Sequence, residues 1–218
     1  AFDSHRNGSQ GIYRKRADGA VPEELLYDAG LYEVHVTDWS ADGRFIVFHQ
    51  DRMCLGCTYD VWVLPTFGER KPIQYTAGTF EEMYGALSPD GRWLAYTTNE
   101  SGTYQVVVQP FPDSSHGKWQ ISADGGTIAR WARGGREIFY IDVAGSIVRV
   151  PITAEPVFDV GEPIPVGEAQ GLLRWDVLPD GERLLKMEPS VPLVSSAGHP
   201  ADFPITVILN WPALIANR

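Results

Sequence analysis

The stretch Ala86-Leu87-Ser88-Pro89-Asp90-Gly91-Arg92-Trp93-Leu94-Ala95-Tyr96 reads as the end of one strand, a tight turn and the start of a second strand. Proline presets the φ of a turn's second position, and Asp-Gly accommodates the positive φ that reverses a hairpin. The aromatic-rich, turn-bounded run from Arg92 to Tyr96 favours a strand over a helix. One such hairpin carries little information, but the chain repeats it. Trp39-Ser40-Ala41-Asp42-Gly43-Arg44-Phe45-Ile46 comes before it. Trp131-Ala132-Arg133-Gly134-Gly135-Arg136-Glu137-Ile138 and Val177-Leu178-Pro179-Asp180-Gly181-Glu182 come after. Gly43, Gly91, Gly135 and Gly181 lie 48, 44 and 46 residues apart. A period in that range belongs to propeller blades of four strands, not to a helical solenoid.

A second element recurs in step with the first. Asp60-Val61-Trp62-Val63-Leu64-Pro65, Tyr104-Gln105-Val106-Val107-Val108-Gln109-Pro110 and Ser146-Ile147-Val148-Arg149-Val150-Pro151 each follow a hairpin. Each is a β-rich run closed by a proline, which cannot continue a central ladder. Short outer strands are expected at Pro72-Ile73-Gln74-Tyr75, Trp119-Gln120-Ile121-Ser122 and Pro163-Ile164-Pro165-Val166, and Glu23-Glu24-Leu25-Leu26-Tyr27 falls in the same slot by register. Ala1-Phe2 reads as the tail of a second strand with no innermost strand before it. The expectation is an all-β single domain over residues 1–218: a β-propeller of four-stranded antiparallel blades. Blades fall at about 1–30, 31–77, 78–124, 125–169 and 170–218, the first and last incomplete. Each blade needs a neighbour to bury its face, so open edges invite a partner or self-association.

Composition agrees. The 218 residues are 44% hydrophobic, enough for one sizeable core, and 22 glycines and 16 prolines supply many turns. A net charge of −10 argues against a nucleic-acid surface, which needs a basic stripe. The longest apolar run, residues 207–216, is interrupted by Asn210 and Pro212 and is too short to span a bilayer. Neither a methionine nor a signal peptide stands at the start, so the chain is expected to be part of something longer.

The Ser-Pro-Asp-Gly-Arg-Trp-Leu-Ala-Tyr phrase resembles the TolB-like propeller repeat of bacteria. Tyr59-Asp60-Val61-Trp62-Val63-Leu64-Pro65, Gln109-Pro110-Phe111-Pro112, Gly117-Lys118-Trp119-Gln120-Ile121-Ser122 and Gly134-Gly135-Arg136-Glu137-Ile138-Phe139-Tyr140 resemble a closer group. That group is the propeller C-terminal to many bacterial serine/threonine protein kinases. The ending Pro204-Ile205-Thr206-Val207-Ile208-Leu209-Asn210-Trp211 resembles it as well. The resemblance covers essentially the whole chain, and it implies a sensor or scaffold held outside the cytoplasm, with the kinase inside. None of a kinase's own catalytic motifs is present. Related propellers gate prolyl-oligopeptidase-type peptidases without doing chemistry.

The linear motifs of chemistry are missing. There is no Gly-x-Ser-x-Gly elbow, no phosphate-binding loop and no His-Glu-x-x-His zinc helix, so neither catalytic residues nor a cofactor are expected. His35 and His49 flank one hairpin and could approach each other; packing is the better reading than a metal pair. Cys54-Leu55-Gly56-Cys57 lacks the second pair of a zinc ribbon. It reads either as a loop-closing disulfide in an oxidising compartment or as two inert thiols. Asp42, Asp90 and Asp180 are turn-formers that bond their own backbone. Trp39, Trp93, Trp119 and Trp131 read as core. A channel-mouth hydrolase or lyase would need His, Asp or Glu from three or more blades to converge.

Recognition is the expected role. The Asp-Gly turns are short and uniform, and they lie on one face. The opposite face carries the variable loops, residues 51–58, 99–102, 142–145 and 190–203, together with the blade junctions. Variable loops on a rigid scaffold are where binding concentrates. Glu33, Glu81, Glu82 and Tyr84 are placed on that face, with Arg130 and Arg174 nearer the channel. The expected ligand is a peptide or protein segment with a cationic group that the carboxylates attract.

Overall fold

The computed structural model describes residues 1–6, 8–52, 58–169, 174–178 and 180–187. Strands dominate, and no α-helix occurs among them. Among the described residues eighteen strands form five antiparallel sheets in chain order. The first contains β1 (Phe2–Arg6), β2 (Ser9–Arg14) and β3 (Glu24–Gly30). The second contains β4 (Tyr32–Trp39), β5 (Phe45–Arg52), β6 (Asp60–Pro65) and β7 (Ile73–Gln74). The third contains β8 (Glu82–Leu87), β9 (Trp93–Thr98), β10 (Gln105–Pro110) and β11 (Trp119–Gln120). The fourth contains β12 (Gly126–Ala132), β13 (Glu137–Asp142), β14 (Ser146–Thr153), β15 (Asp159–Val160) and β16 (Ile164–Glu168). The fifth contains β17 (Arg174–Val177) and β18 (Leu184–Met187). This is a nearly all-β, partial propeller of four-stranded sheets. One outer strand was not expected: β14 is eight residues long and pairs with β15 at its end as well as with β16 at its start.

The turn chemistry explains the hairpins. Ser40 N–H donates to the Phe45 carbonyl and Gly43 N–H to the Ser40 carbonyl, each at 2.8 Å. Gly43 takes φ 73°, a left-handed conformation that costs glycine little. The Ser40 hydroxyl accepts the Phe45 N–H at 2.9 Å and donates to Asp42 Oδ1 at 2.6 Å. Ser88, Asp90 and Trp93 repeat the arrangement. In the fourth sheet Gly134 and Gly135 replace the Asp-Gly pair, both with positive φ.

Period-two alternation holds the sheets together. Ile46, Phe48 and Leu64 face the first sheet, where they meet Ile12, Leu26 and Ala29. Val47, Val61 and Val63 face the third sheet and meet Leu94, Tyr96 and Val107. Ala95, Val106 and Val108 then meet Ile138, Tyr140, Val148 and Val150 of the fourth. Phe139 and Ile147 meet Trp175 and Val177 of the fifth. Both faces of the middle sheets are buried, which is why their strands read as continuous apolar runs. Trp131 is buried and donates its indole N–H to the Ala86 carbonyl of the preceding sheet at 3.1 Å. Trp39, Trp93 and Trp119 are partly buried against the same layers. Gly85 lets the second and third sheets come close: a Cβ there would sit 2.6 Å from Val47 Cγ1.

Candidate functional site

The first strands of the second to fifth sheets line one cavity of about 390 Å³. His35, Val36 and Thr37 come from β4, Met83 and Tyr84 from β8, Ile128 and Arg130 from β12, and Trp175 from β17. Asp3, His49, Tyr59 and Ile141 complete the wall.

The inner strands are irregular where they meet the cavity. Their pairing slips between Val36 and Asp38, between Met83 and Ala86, and between Thr127 and Arg130. Tyr84 and Ile128 occupy equivalent places in these bulges, and both have φ 57°. Positive φ is uncommon for any residue with a Cβ, and for β-branched isoleucine it is an outlier. A side chain on the preceding sheet holds each bulge by its amide. His49 Nδ1 accepts the Tyr84 N–H at 3.4 Å, and Thr97 Oγ1 accepts the Ile128 N–H at 3.2 Å. Asp3 Oδ1 accepts the Val36 N–H at 2.9 Å, the same relationship one sheet earlier. His49 and Thr97 stand opposite His35 and Met83 in their ladders, and Ile141 stands opposite Thr127. Spacing alone could not have revealed these locks, because three different side chains serve as the acceptor.

One wall of the cavity is acidic and aromatic. His35 Nε2 lies 3.1 Å from Glu33 Oε1, and its Nδ1 lies 3.9 Å from Asp3 Oδ2. Burial, reinforced by the charges of Glu33 and Asp51 and a hydrogen bond to Glu33, pushes the Tyr59 phenol up to about 12. Burial also raises the Asp51 carboxyl, and the Glu33 charge adds to the effect. The His49 ring stands 5.0 Å from Tyr59 and 5.3 Å from Tyr84, edge to face in both pairs. Its centroid is 5.1 Å from that of His35. The two histidines therefore do meet, as cross-strand partners in an aromatic cluster. Among the described residues no group of three or more His, Cys, Asp or Glu could hold a metal.

The expected site residues separate. Tyr84 and Arg130 line the cavity, and Glu33 stands at its rim through His35 and Tyr59. Arg130 has Nε 3.7 Å from Asp176 and its guanidinium over the Trp175 ring. Glu81 is engaged with Tyr104, whose hydroxyl donates to Oε2. Glu82 departs from the expectation of an exposed acidic rim. It is only 7% exposed, one residue on from Glu81 and so on the other face of the strand. Burial raises its carboxyl, partly offset by a hydrogen bond with Thr76. Arg174 begins β17, but its side chain lies outside the described part of the structure, as do Cys54 and Cys57.

Apolar side chains stand exposed in the sheet junctions and in the loops between second and third strands. Leu31 is 79% exposed at the junction of the first two sheets, and Val143 is 74% exposed in the loop between β13 and β14. Phe80 and Tyr104 add to them.

No protein-family model matches the sequence, and neither does any curated protein. Solved structures do match its shape. TolB from Acinetobacter baumannii aligns with a TM-score of 0.58 at 14% identity, covering 84% of this chain and 44% of that one. A protein assigned as TolB from Agrobacterium tumefaciens aligns with a TM-score of 0.52 at 15% identity, covering 74% and 64%. A prolyl endopeptidase aligns at 0.51 and 13% identity, covering 93% of this chain and 35% of that one. The chain thus spans between about a third and two thirds of these structures. At such identities the likeness shows the fold alone: a β-propeller like that of TolB and the other structures. No helix among the described residues is long and apolar enough to cross a membrane.

Proposed function

We propose that this propeller is a non-catalytic recognition module that takes up a segment of a partner protein at the mouth of its central cavity. One observation carries the reading: four inner strands turn side chains into a single cavity, two of them from left-handed backbone at equivalent bulges. Strained backbone of this kind persists only where the surroundings over-determine it, and it clusters at binding and active sites. The exposed apolar tips in the sheet junctions and loops supply what a protein partner buries.

A hydrolase or lyase at the same mouth is less well supported. Histidine and carboxylate side chains reach the lining from the first and second sheets alone, through Asp3, His35 and His49. The sequence resemblance supports placing the module outside the cytoplasm, as the sensor of a larger bacterial receptor kinase.

The test is a peptide-display selection against the full 218-residue chain. Selected peptides are then measured against a mouth variant, Glu81→Ala with Tyr84→Ala, and an opposite-face variant, Arg44→Ala with Arg92→Ala. Glu82 is left unchanged because it is buried. Loss of binding only in the mouth variant is the expected result. Loss only in the opposite-face variant overturns the assignment.

A further inference from the structure

We infer that the acidic, aromatic wall of the cavity takes an alkylammonium group, that of a lysine-type side chain or its methylated form. The inference rests on the proposed recognition role and names the chemistry of what enters.

The cavity, about 390 Å³, is at the small end of ligand pockets, which run from roughly 300 to 1,000 Å³. It has room for one side chain rather than a folded element. Two carboxylates are held in place before any ligand arrives: Asp3 of β1 lines the cavity, and Glu33 of β4 stands at its rim beside His35 and Tyr59. Asp3 is fixed by the Val36 N–H at 2.9 Å, and Glu33 by His35 Nε2 at 3.1 Å and by Tyr59. The one permanently cationic side chain among the lining residues, Arg130, is engaged by Asp176, with Nε at 3.7 Å, and lies over the Trp175 ring. No other described lining residue carries a guanidinium or ammonium group. Tyr59 and Tyr84 flank His49 there and face the same cavity. Aromatic faces attract ammonium groups through the ring quadrupole, and the attraction grows when water is excluded. Carboxylates alone would hold any cation. The rings add a preference for one that carries carbon.

The test uses N-acetyl-lysine methylamide, its trimethyl-lysine analogue and the uncharged norleucine analogue, titrated calorimetrically into the full chain. Sodium chloride is held constant, because exposed charge pairs are screened by salt. Both ammonium probes are expected to bind about tenfold or more tightly than the norleucine probe. Glu33→Gln should remove most of that difference, and Tyr59→Phe should keep it, because the ring is retained. Tyr84→Ala should weaken the trimethyl probe most. Thermal melts of each variant confirm folding. Equal binding of norleucine and lysine probes, or no effect of Glu33→Gln, overturns the inference. The recognition role is tested separately by the selected peptides. If they need the mouth but tolerate replacement of every lysine by norleucine, the ammonium inference fails and the recognition role stands. If none needs the mouth, both fail.

Discussion

Asp38 Oδ2 accepts the backbone N–H of Leu87 at 2.7 Å, across the boundary between the second and third sheets. Its other oxygen accepts the Trp39 N–H at 2.8 Å. Burial raises the Asp38 carboxyl; these two hydrogen bonds and the Arg130 charge oppose the shift without cancelling it. The sign follows. A carboxyl raised in the folded state contributes most below its unfolded pKa of about 3.9, and that contribution is lost as pH rises through the folded value. Wild type minus Asp38→Asn should therefore be most favourable to wild type in acid and should shrink toward neutrality. Denaturant melts of both proteins across that pH window measure the difference. A constant difference would show that Asp38 titrates normally.

The turn aspartates should respond in the opposite sense. The Ser40 hydroxyl and the Arg44 N–H hold the Asp42 carboxyl below its usual range. That contribution is present above the unfolded pKa and is lost as pH falls through the folded one. Asp42→Ala should thus narrow the stability gap between neutral and acid conditions. Ser88→Ala should cost about 1–3 kcal/mol, because Ser88 is buried and its hydroxyl accepts the Trp93 N–H at 3.0 Å. Urea titration reads the loss directly.

Gly85→Ala should destabilise by about 1–3 kcal/mol through overpacking. The new methyl would meet Val47 Cγ1 at 2.6 Å and Val61 Cγ1 at 3.1 Å. Val47→Ala should rescue part of the loss in the double variant, because it removes the nearer methyl. A double-mutant cycle with no coupling between the two positions would contradict this account of the sheet contact.

Trp131→Ala should cost about 3–5 kcal/mol, the range for truncating a buried aromatic. Trp131→Phe isolates the hydrogen bond to the Ala86 carbonyl and should cost less. Equal losses in the two variants would mean that the indole N–H dominates.

The Tyr59 phenol should titrate near 12 in a 13C-tyrosine NMR experiment. Glu33→Gln should lower it while leaving it above the ordinary phenol value, because burial, the largest cause, is untouched. An unchanged titration in that variant would separate Tyr59 from Glu33.

The sheets were legible because turn chemistry is local. Ser40, Asp42 and Gly43 carry their own hydrogen bonds, and the same letters recur at Ser88, Asp90 and Gly91. The cavity was legible only in part. Strand order places Arg130 nearer the channel and Tyr84 on the loop face, but the bulges that aim Tyr84 and Ile128 are set by contacts with the preceding sheet. Nothing local distinguishes Asp3 from any other N-terminal aspartate, yet it holds Val36 and lines the cavity. Glu82 owes its burial to its place at the start of β8, not to its charge. It occupies the inner-strand slot that Val34 fills one sheet earlier, at 0% exposure.

Among the described residues the acceptors at the bulges run Asp3, His49 and Thr97, and at the next equivalent place Ile141 brings a hydrocarbon. A fastening with its last tooth missing opens from that end. The fifth sheet should therefore be the first to part from its neighbour under mild denaturant, with the amides of β17 and β18 exchanging with solvent before those of β4, β8 and β12. In this protein the direction of unravelling would be written in one side chain.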